Sequence, residues 1–201
     1  MSAPDFQPPD TSLFSYTANG TGVTQSATYD SARGLSWHRT DTSLSGEHHA
    51  FIGKAVPSGG SWEAICRMKL PACSSDYIRR GFMLLESATG KSVMFGLNMQ
   101  STSPTLFAMN SSDLDHAFQN TIVSQTIGGE FPEWYRWTWD GTNLKGFLSF
   151  DQQATWSQIL SFTPTTYFTT APDKIGVGIE VFNGLVMPPY CVILSYDDPD
   201  V

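Results

Sequence analysis

Charged side chains are scarce in this chain of 201 residues. Asp, Glu, Lys and Arg make up 15% of it, against about 25% in an average soluble domain. Acidic residues outnumber basic ones by 19 to 11, which gives a net charge of −8. Without a basic stripe, the sequence excludes nucleic acid as a favoured partner and disfavours an anionic membrane. Polar coverage must come from Ser, Thr, Asn and Gln, as is typical of extracellular or particle-surface β proteins.

Cysteines and long apolar runs are also few. Cys66, Cys73 and Cys191 are an odd number without paired spacing, which argues against a disulfide framework and a zinc site, although one bridge stays open. No run approaches the roughly 18 apolar residues of a membrane-spanning helix. The first ten residues have neither a basic start nor an apolar stretch, so the sequence predicts no secretory signal and no membrane insertion.

Helical periodicity is absent beyond about one turn of chain. A dozen or so short alternating segments, separated by Gly and Pro turns, instead predict an all-β fold: a two-sheet antiparallel β-sandwich. No repeat of 20–50 residues is visible, which disfavours a propeller or solenoid. We expect residues 1–12, with three prolines, to form an irregular N-terminal arm, either frayed or lying on a neighbouring subunit. Residues 13–201 then form a single β-sandwich domain.

The most informative stretch is 133–156, which holds four of the six tryptophans. Residues 134–139 alternate, which predicts two opposite faces of one strand: Tyr135, Trp137 and Trp139 on one, and Trp134, Arg136 and Thr138 on the other. Asp140-Gly141 predicts a hairpin turn into a return strand at 144–150. The other candidate strands are 13–16, 35–39, 49–56, 62–70, 81–86, 92–100, 105–110, a short one near Ile122, 174–182 and 190–196. The strand 62–70 also alternates and has one solvent-facing side: one face carries Trp62, Ala64, Cys66, Met68 and Leu70, and the other carries Glu63, Ile65, Arg67 and Lys69.

The order of these pieces is familiar. The pieces are Phe51-Ile52-Gly53-Lys54, Pro57 with a glycine turn, Trp62-Glu63-Ala64, Gly81-Phe82-Met83-Leu84, Ser87 to Lys91, Trp134 to Trp137 with Asp140-Gly141, Ser149 to Trp156, and Lys174 to Gly178. Over about residues 50–196 this order resembles the concanavalin A-like lectin/glucanase jelly rolls, especially domains of phage structural proteins and accessory modules of glycoside hydrolases. The resemblance implies a fold much more than an activity.

One turn departs from that pattern. Domains of this kind often carry a Ser-x-Asp-Gly-x-x-Trp turn before their last aromatic strand. Here the segment from Ser149 to Trp156 is one residue longer and has Gln152-Gln153 in place of Asp-Gly. No ligand role is carried over to this turn.

Hydrolytic chemistry is not favoured by the acids present. Glycoside hydrolysis needs two carboxylates roughly 5–10 Å apart, and the glucanases of this fold place them on a Glu-x-Asp-x-Glu strand that this chain lacks. Glu86 and Glu180 are single acids in separate apolar strands. No Gly-x-Ser-x-Gly nucleophile turn occurs either. We expect no catalytic residues and no enzyme activity, with a glucanase-type glycoside hydrolase as the least favoured alternative.

Metal ligation is likewise weakly supported. His48 and His49 are adjacent, so a regular strand would direct them to opposite faces. The candidate calcium ligands, which form no Asp-x-Asp-x-Asp-Gly loop, are Asp113, Asp115, Asp197, Asp198 and Asp200. We expect no cofactor and no metal site, with a structural calcium left open.

Sugar binding needs exposed aromatic faces next to polar groups that fix hydroxyls. The candidates for such a ligand-binding surface are Trp134 with Arg136, and Trp37 with His38. The alternative is that most tryptophans are in the core and that His38 is a half-buried polar tip.

These observations predict a non-enzymatic virion protein, with a phage as the favoured virus. It would be a capsid decoration, fibre or tail-associated protein. It would contact other virion proteins and copies of itself, and could present a carbohydrate-binding surface to host polysaccharide. The alternative is a free-standing carbohydrate-binding module of a secreted glycan-degrading system. The predicted localisation is the virion, or otherwise extracellular.

Overall fold

The computed structural model describes residues 14–39, 47–70, 78–99, 104–115, 120–127, 131–182 and 190–198. These residues form fourteen strands and one short 3-10 turn at Pro164–Thr166. In chain order the strands are β1 (Tyr16–Asn19), β2 (Gln25–Asp30), β3 (Gly34–Arg39), β4 (Glu47–Ala55), β5 (Trp62–Lys69), β6 (Ile78–Leu85), β7 (Ser92–Met99), β8 (Thr105–Ser111), β9 (Asn120–Thr126), β10 (Trp134–Trp139), β11 (Leu144–Ser149), β12 (Ser157–Phe162), β13 (Lys174–Phe182) and β14 (Tyr190–Asp197).

The strands make two antiparallel sheets of seven, which confirms the predicted sandwich. Sheet A has the spatial order β1-β4-β13-β6-β7-β8-β9, and sheet B has β12-β11-β10-β5-β14-β3-β2. Neighbours in space are often distant in sequence: β5 pairs with both β10 and β14. None of the described residues belongs to a helix that is long and apolar enough to cross a membrane.

Several predicted strand bounds need correction. The first strand is Tyr16–Asn19 rather than 13–16, and β6 begins at Ile78 rather than at residue 81. The strand Gln25–Asp30 was not predicted at all. It lies at the edge of sheet B with most side chains in solvent, so no alternation of apolar residues marks it. The predicted arm at residues 1–12 lies outside the described residues.

The core lies between the sheets and is built from alternate residues of each strand. In β5 the inward set, in agreement with the sequence, is Trp62, Ala64, Cys66 and Met68. At the centre, the ring of Phe95 from sheet A lies 4.8 Å from that of Trp137 in sheet B, at an edge-to-face angle of 73°. The Trp137 indole N–H donates to the carbonyl of Phe82 at 3.4 Å. This contact fixes which face of β10 points inward.

Two paired glycines set how closely β6 and β7 approach. Gly81 lies opposite Gly96 in the register of these strands. A Cβ on Gly81 would lie 2.6 Å from the carbonyl carbon of Phe95, and a Cβ on Gly96 would lie 2.5 Å from the Cα of Gly81. Both distances are far below van der Waals contact with backbone atoms that cannot rotate away. Any side chain here would push the two strands apart.

We therefore expect Gly81→Ala to destabilise the fold by about 2 kcal/mol, because overpacking forces backbone shifts. For a chain of this size that corresponds to a fall in Tm of roughly 4–8 °C. The control is Gly60→Ala, since no atom lies within 4 Å of a Cβ at Gly60. Thermal unfolding followed by circular dichroism measures both. Equal Tm values for the two variants would contradict the close approach.

Candidate functional site

The outer face of sheet A is closed. Its middle is an apolar cluster of six buried side chains: Phe51, Met83, Leu85, Met94, Phe107 and Met109. The sulfur atoms of Met83 and Met94 fill the space above Gly178, and that of Met94 lies 2.6 Å from where a Cβ would be. The glycine of this strand therefore accommodates the protein's own side chains, and this region offers no open slot for a ligand.

One end of the same face carries a buried charged group. His49, Glu180 and Arg79 lie opposite one another on three adjacent strands. The Glu180 carboxylate contacts Arg79 Nη1 at 2.6 Å and His49 Nε2 at 3.6 Å, and its side chain is 2% exposed. Glu180 is thus committed to an internal ion pair, as buried carboxylates usually are. The neighbouring His48 has a different partner, the Asp115 carboxylate at 3.3 Å.

Glu86 is the second single acid, and it fastens a hairpin to a distant loop. One carboxylate oxygen accepts from the backbone N–H and the hydroxyl of Thr170, and the other from the Thr169 N–H and the Thr89 hydroxyl. Burial alone would raise the pKa of Glu86, but these hydrogen bonds outweigh it and lower the pKa from 4.5 to about 2. A carboxylate held ionised in this way serves structure rather than acid catalysis.

The expectation that Trp37 offers an exposed ring is wrong. Trp37 is 0% exposed and belongs to the core between the sheets, with its indole N–H donated to Gln25. The predicted strand at 35–39 did not tell which of its faces is covered. His38 is half-buried and its Nε2 lies 2.8 Å from the Ser26 hydroxyl. The ring of Trp37 therefore cannot stack on a ligand.

Trp134 and Arg136 do lie on the outer face of sheet B, but Trp134 is not exposed. It is 5% exposed because the guanidinium of Arg67 covers its ring at 5.3 Å, and Arg67 pairs with Glu133 at 2.8 Å. Arg136, in contrast, lies 3.2 Å from the Glu63 carboxylate of the neighbouring strand. The outward face of β10 is thus covered at Trp134 and polar from Arg136 onward.

An open depression of about 600 Å³ begins beside Arg136, over the start of β5. β5 contributes Glu63 and Ile65, β10 contributes Thr138, and the end of β14 contributes Asp197, which lies directly opposite Ile65. The remaining lining residues are Ser61, Trp62 and Asp198. The depression combines hydroxyl and carboxylate groups with the apolar side chain of Ile65, and it is the candidate functional site.

The sequence did not single out this depression. Glu63 and Thr138 were placed on outward faces, and Asp197 was considered only as a calcium ligand. The missing information was that β5 lies between β10 and β14, because pairings between strands more than sixty residues apart leave no local pattern. The local signal available was the charged and polar residues at outward positions of these two strands, Glu63 on β5 and Arg136 and Thr138 on β10.

Two of the calcium candidates, Asp115 and Asp198, have other roles. Asp115 accepts from the N–H and hydroxyl of Thr21, and these bonds lower its pKa. Asp198 pairs with Lys54 at 3.0 Å. Asp200 lies outside the described residues. Among the described residues, no cluster of three or more His, Cys, Asp or Glu side chains could hold a metal ion.

Cys66 and Cys191 are free, buried thiols, whereas Cys73 lies outside the described residues. Burial raises the pKa of Cys191 to about 12 and that of Cys66 well above its usual value. Both are therefore protonated near neutral pH and act as small core side chains.

No protein-family model matches the chain, and no curated protein matches it in sequence. Solved structures do resemble it. A functionally unknown protein from Saccharomyces cerevisiae has a TM-score of 0.62 at 15% identity, over 88% of this chain and 95% of its own. An engineered GH43 glycoside hydrolase with endo-xylanase and exo-arabinofuranosidase activity gives 0.59 at 12% identity over 82% of this chain, which spans only 33% of that enzyme.

A third similar structure is the exoplasmic/lumenal domain of VIP36 in its Ca²⁺- and Man-bound form. Its TM-score is 0.50 at 10% identity, over 92% of this chain and 83% of that domain. Identities this low show the fold alone. The chain therefore shares a β-sandwich fold with these structures, in agreement with the fold that the resemblance in its sequence implies.

The carboxylate of Glu86 yields a prediction for stability against acid. Because its folded pKa lies below the ordinary 4.5, its contribution is complete above about pH 5 and is lost as pH falls toward 2. Glu86→Gln should lower the free energy of unfolding by about 2 kcal/mol at pH 7. Between pH 4.5 and 2, the unfolding free energy of this variant should fall less with decreasing pH than that of the wild type. Urea unfolding at a series of pH values measures this.

The exposed Glu63→Gln is the matched control and should shift the unfolding free energy by less than about 0.5 kcal/mol. If Glu86→Gln lost stability between pH 4.5 and 2 as steeply as the wild type, the carboxylate would not be held by its threonine donors.

Proposed function

We propose that this chain is a non-enzymatic glycan-binding β-sandwich, and that it binds uncharged saccharides in the depression on the outer face of sheet B. The observation that carries the proposal is the make-up of that depression. Its carboxylates and hydroxyls, on Glu63, Asp197, Thr138 and Ser61, lie beside the apolar side chain of Ile65. Saccharides combine hydroxyls with apolar C–H faces, so they match such a mixed lining.

The size and openness of the depression fit the same ligand class. A volume of about 600 Å³ lies within the roughly 300–1,000 Å³ range of small-molecule sites. Glu63 has a side chain that is 49% exposed, and Asp197 is exposed, so both can accept hydrogen bonds from a ligand. A hydrogen bond from a hydroxyl to an ionised carboxylate is stronger than one between two neutral groups.

The charge of the depression favours neutral over acidic sugars. Three of its lining residues are carboxylates, and none of the lining residues in the described part of the chain is cationic. The nearby cations are already paired, Arg136 with Glu63 and Lys54 with Asp198. A uronate or other anionic unit would face repulsion with no cation to relieve it.

Binding without cleavage is favoured by how these acids are held. Glycoside hydrolysis needs one carboxyl group that can give a proton and a second that acts as base or nucleophile. Glu63 forms an ion pair with Arg136, and the buried Asp198 forms one with Lys54. Asp197 is an exposed acid of the lining that makes no ion pair with the residues that the structure describes. A glycoside hydrolase is the alternative that product analysis would reveal.

We also propose that this binding protein is part of a viral particle, as a decoration, fibre or tail-associated protein. Its support is the low charged fraction of 15% together with abundant uncharged polar residues. Mass spectrometry of purified particles tests this separately from binding. Detection of the chain only in culture supernatant, with secreted glycan-degrading enzymes, would favour the free-standing carbohydrate-binding module instead.

Isothermal titration with neutral cello-, xylo- and N-acetylchito-oligosaccharides and with anionic oligogalacturonate tests the binding proposal. We expect binding of at least one neutral series and none of the oligogalacturonate. Asp197→Asn should weaken neutral binding roughly tenfold or more, since a hydrogen bond to a charged group is worth about 1.5–3 kcal/mol. Chromatography of the titrated mixture should show intact oligosaccharide.

The matched control is Asp30→Asn. Asp30 caps the turn between β2 and β3 by accepting from the Ala32 and Arg33 N–H groups, a role that Asn also fills. Its affinity should equal that of the wild type. Equal loss in both variants, or preference for the anionic oligosaccharide, would contradict the assigned site.

A further inference from the structure

Arg136 contacts two aromatic rings. Its guanidinium carbon lies 4.3 Å from the ring centre of Phe147 and 4.3 Å from that of Trp156. Phe147 is its direct partner in the pairing of β10 with β11. Each contact is a cation–π interaction at close range, and a planar guanidinium suits stacking on aromatic rings. The side chain is consequently 19% exposed although it lies on an outer face.

Trp156 reaches this position through the unusual turn at residues 149–156. Gln152 and Gln153 both have left-handed backbone conformations, with φ of 55° and 72°, which cost non-glycine residues roughly 1–2 kcal/mol each. Asp151 offsets this cost, since its carboxylate accepts from the N–H and hydroxyl of Thr155 and from the Ser149 hydroxyl. The same bonds lower the pKa of Asp151 to about 2. The turn that departs from the jelly-roll pattern thus has a fixed shape.

The stacked arginine contacts the depression through one residue. Arg136 Nη1 lies 3.2 Å from Glu63 Oε2, and Glu63 is part of the lining. An exposed ion pair of two free side chains would contribute little, mainly because ordering both costs entropy. Here the aromatic rings already order the guanidinium, so forming the ion pair restricts mainly the Glu63 side chain and loses less conformational entropy.

We propose that Arg136 is a positioning residue for glycan binding: the Phe147–Arg136–Trp156 stack fixes the Glu63 carboxylate so that Oε1 is ready to accept a ligand hydroxyl. This inference rests on the proposed function of the depression. Oε2 is engaged by Arg136, and among the described residues no protein group donates to Oε1. A pre-ordered acceptor lowers the entropy lost on binding. It also keeps Glu63 in an ion pair, which suits binding rather than proton donation.

A double-mutant cycle on affinity tests the proposal, with the neutral oligosaccharide that binds best as the probe. The variants are Arg136→Met, Glu63→Gln and the double variant. If Arg136 acts through Glu63, each single change weakens binding by about tenfold and the double variant binds no more weakly than Glu63→Gln alone. Additive losses, or unchanged affinity in Arg136→Met, would overturn the proposal.

Arg67→Met is the matched control. Arg67 also covers a tryptophan on the same face, but it pairs with Glu133 instead of Glu63. Its affinity should equal that of the wild type, and a loss equal to that of Arg136→Met would assign the effect to the general stability of the face. Thermal unfolding of every variant confirms that it is folded.

A second variant tests the stack itself. Arg136→Lys keeps the positive charge but loses the planar group that contacts the rings, and we expect about a threefold or greater loss of affinity. Wild-type affinity in Arg136→Lys would show that charge alone suffices, which overturns the role of the stack. If the wild type binds none of the neutral oligosaccharides, the proposed function fails together with this inference. If it binds but the cycle is additive, only this inference fails.

Discussion

The contact between Phe95 of sheet A and Trp137 of sheet B is the interaction on which the rest of the structure depends. It joins β7 and β10, each next to the middle strand of its sheet, with Phe82, Tyr135 and Phe162 packed around it. Side chains alternate along a strand, so an inward Trp137 obliges Arg136 and Thr138 to point outward. A slip of one residue in β10 would exchange its core residues with those on the outer face of sheet B.

The two outer faces of the sandwich have opposite characters. Sheet A buries methionines and phenylalanines on its outer face and ends in the ion pair of Glu180 with Arg79. Sheet B instead presents charged side chains and the depression over β5. Aromatic residues on this second face are used to order cations: Trp134 lies under Arg67, and Trp156 against Arg136. Ordered charges beside an open depression are what recognition of a polar ligand requires.

The sequence predicted those features that follow from the local alternation of apolar and polar residues, namely strand positions and inward faces. Alternation in 62–70 and 134–139 identified the inward faces of β5 and β10 correctly, and the bounds of β10 and β13 agree with the structure. It could not tell whether an outward tryptophan is exposed, and Trp134 is covered by an arginine from another strand. It placed Trp37 on the surface because a six-residue strand with few apolar residues gives no measure of burial. The depression depends on pairings between distant strands, which no short-range pattern contains.

The account's central claim is that glycans bind over β5 on the outer face of sheet B. Backbone amide chemical shifts followed by NMR during titration with a neutral oligosaccharide locate the bound ligand most directly. The account predicts that the largest shift changes occur at Glu63, Ile65, Thr138 and Asp197. Changes that instead cluster at Phe51, Met83 and Phe107 on sheet A, or no changes at any residue, would contradict it.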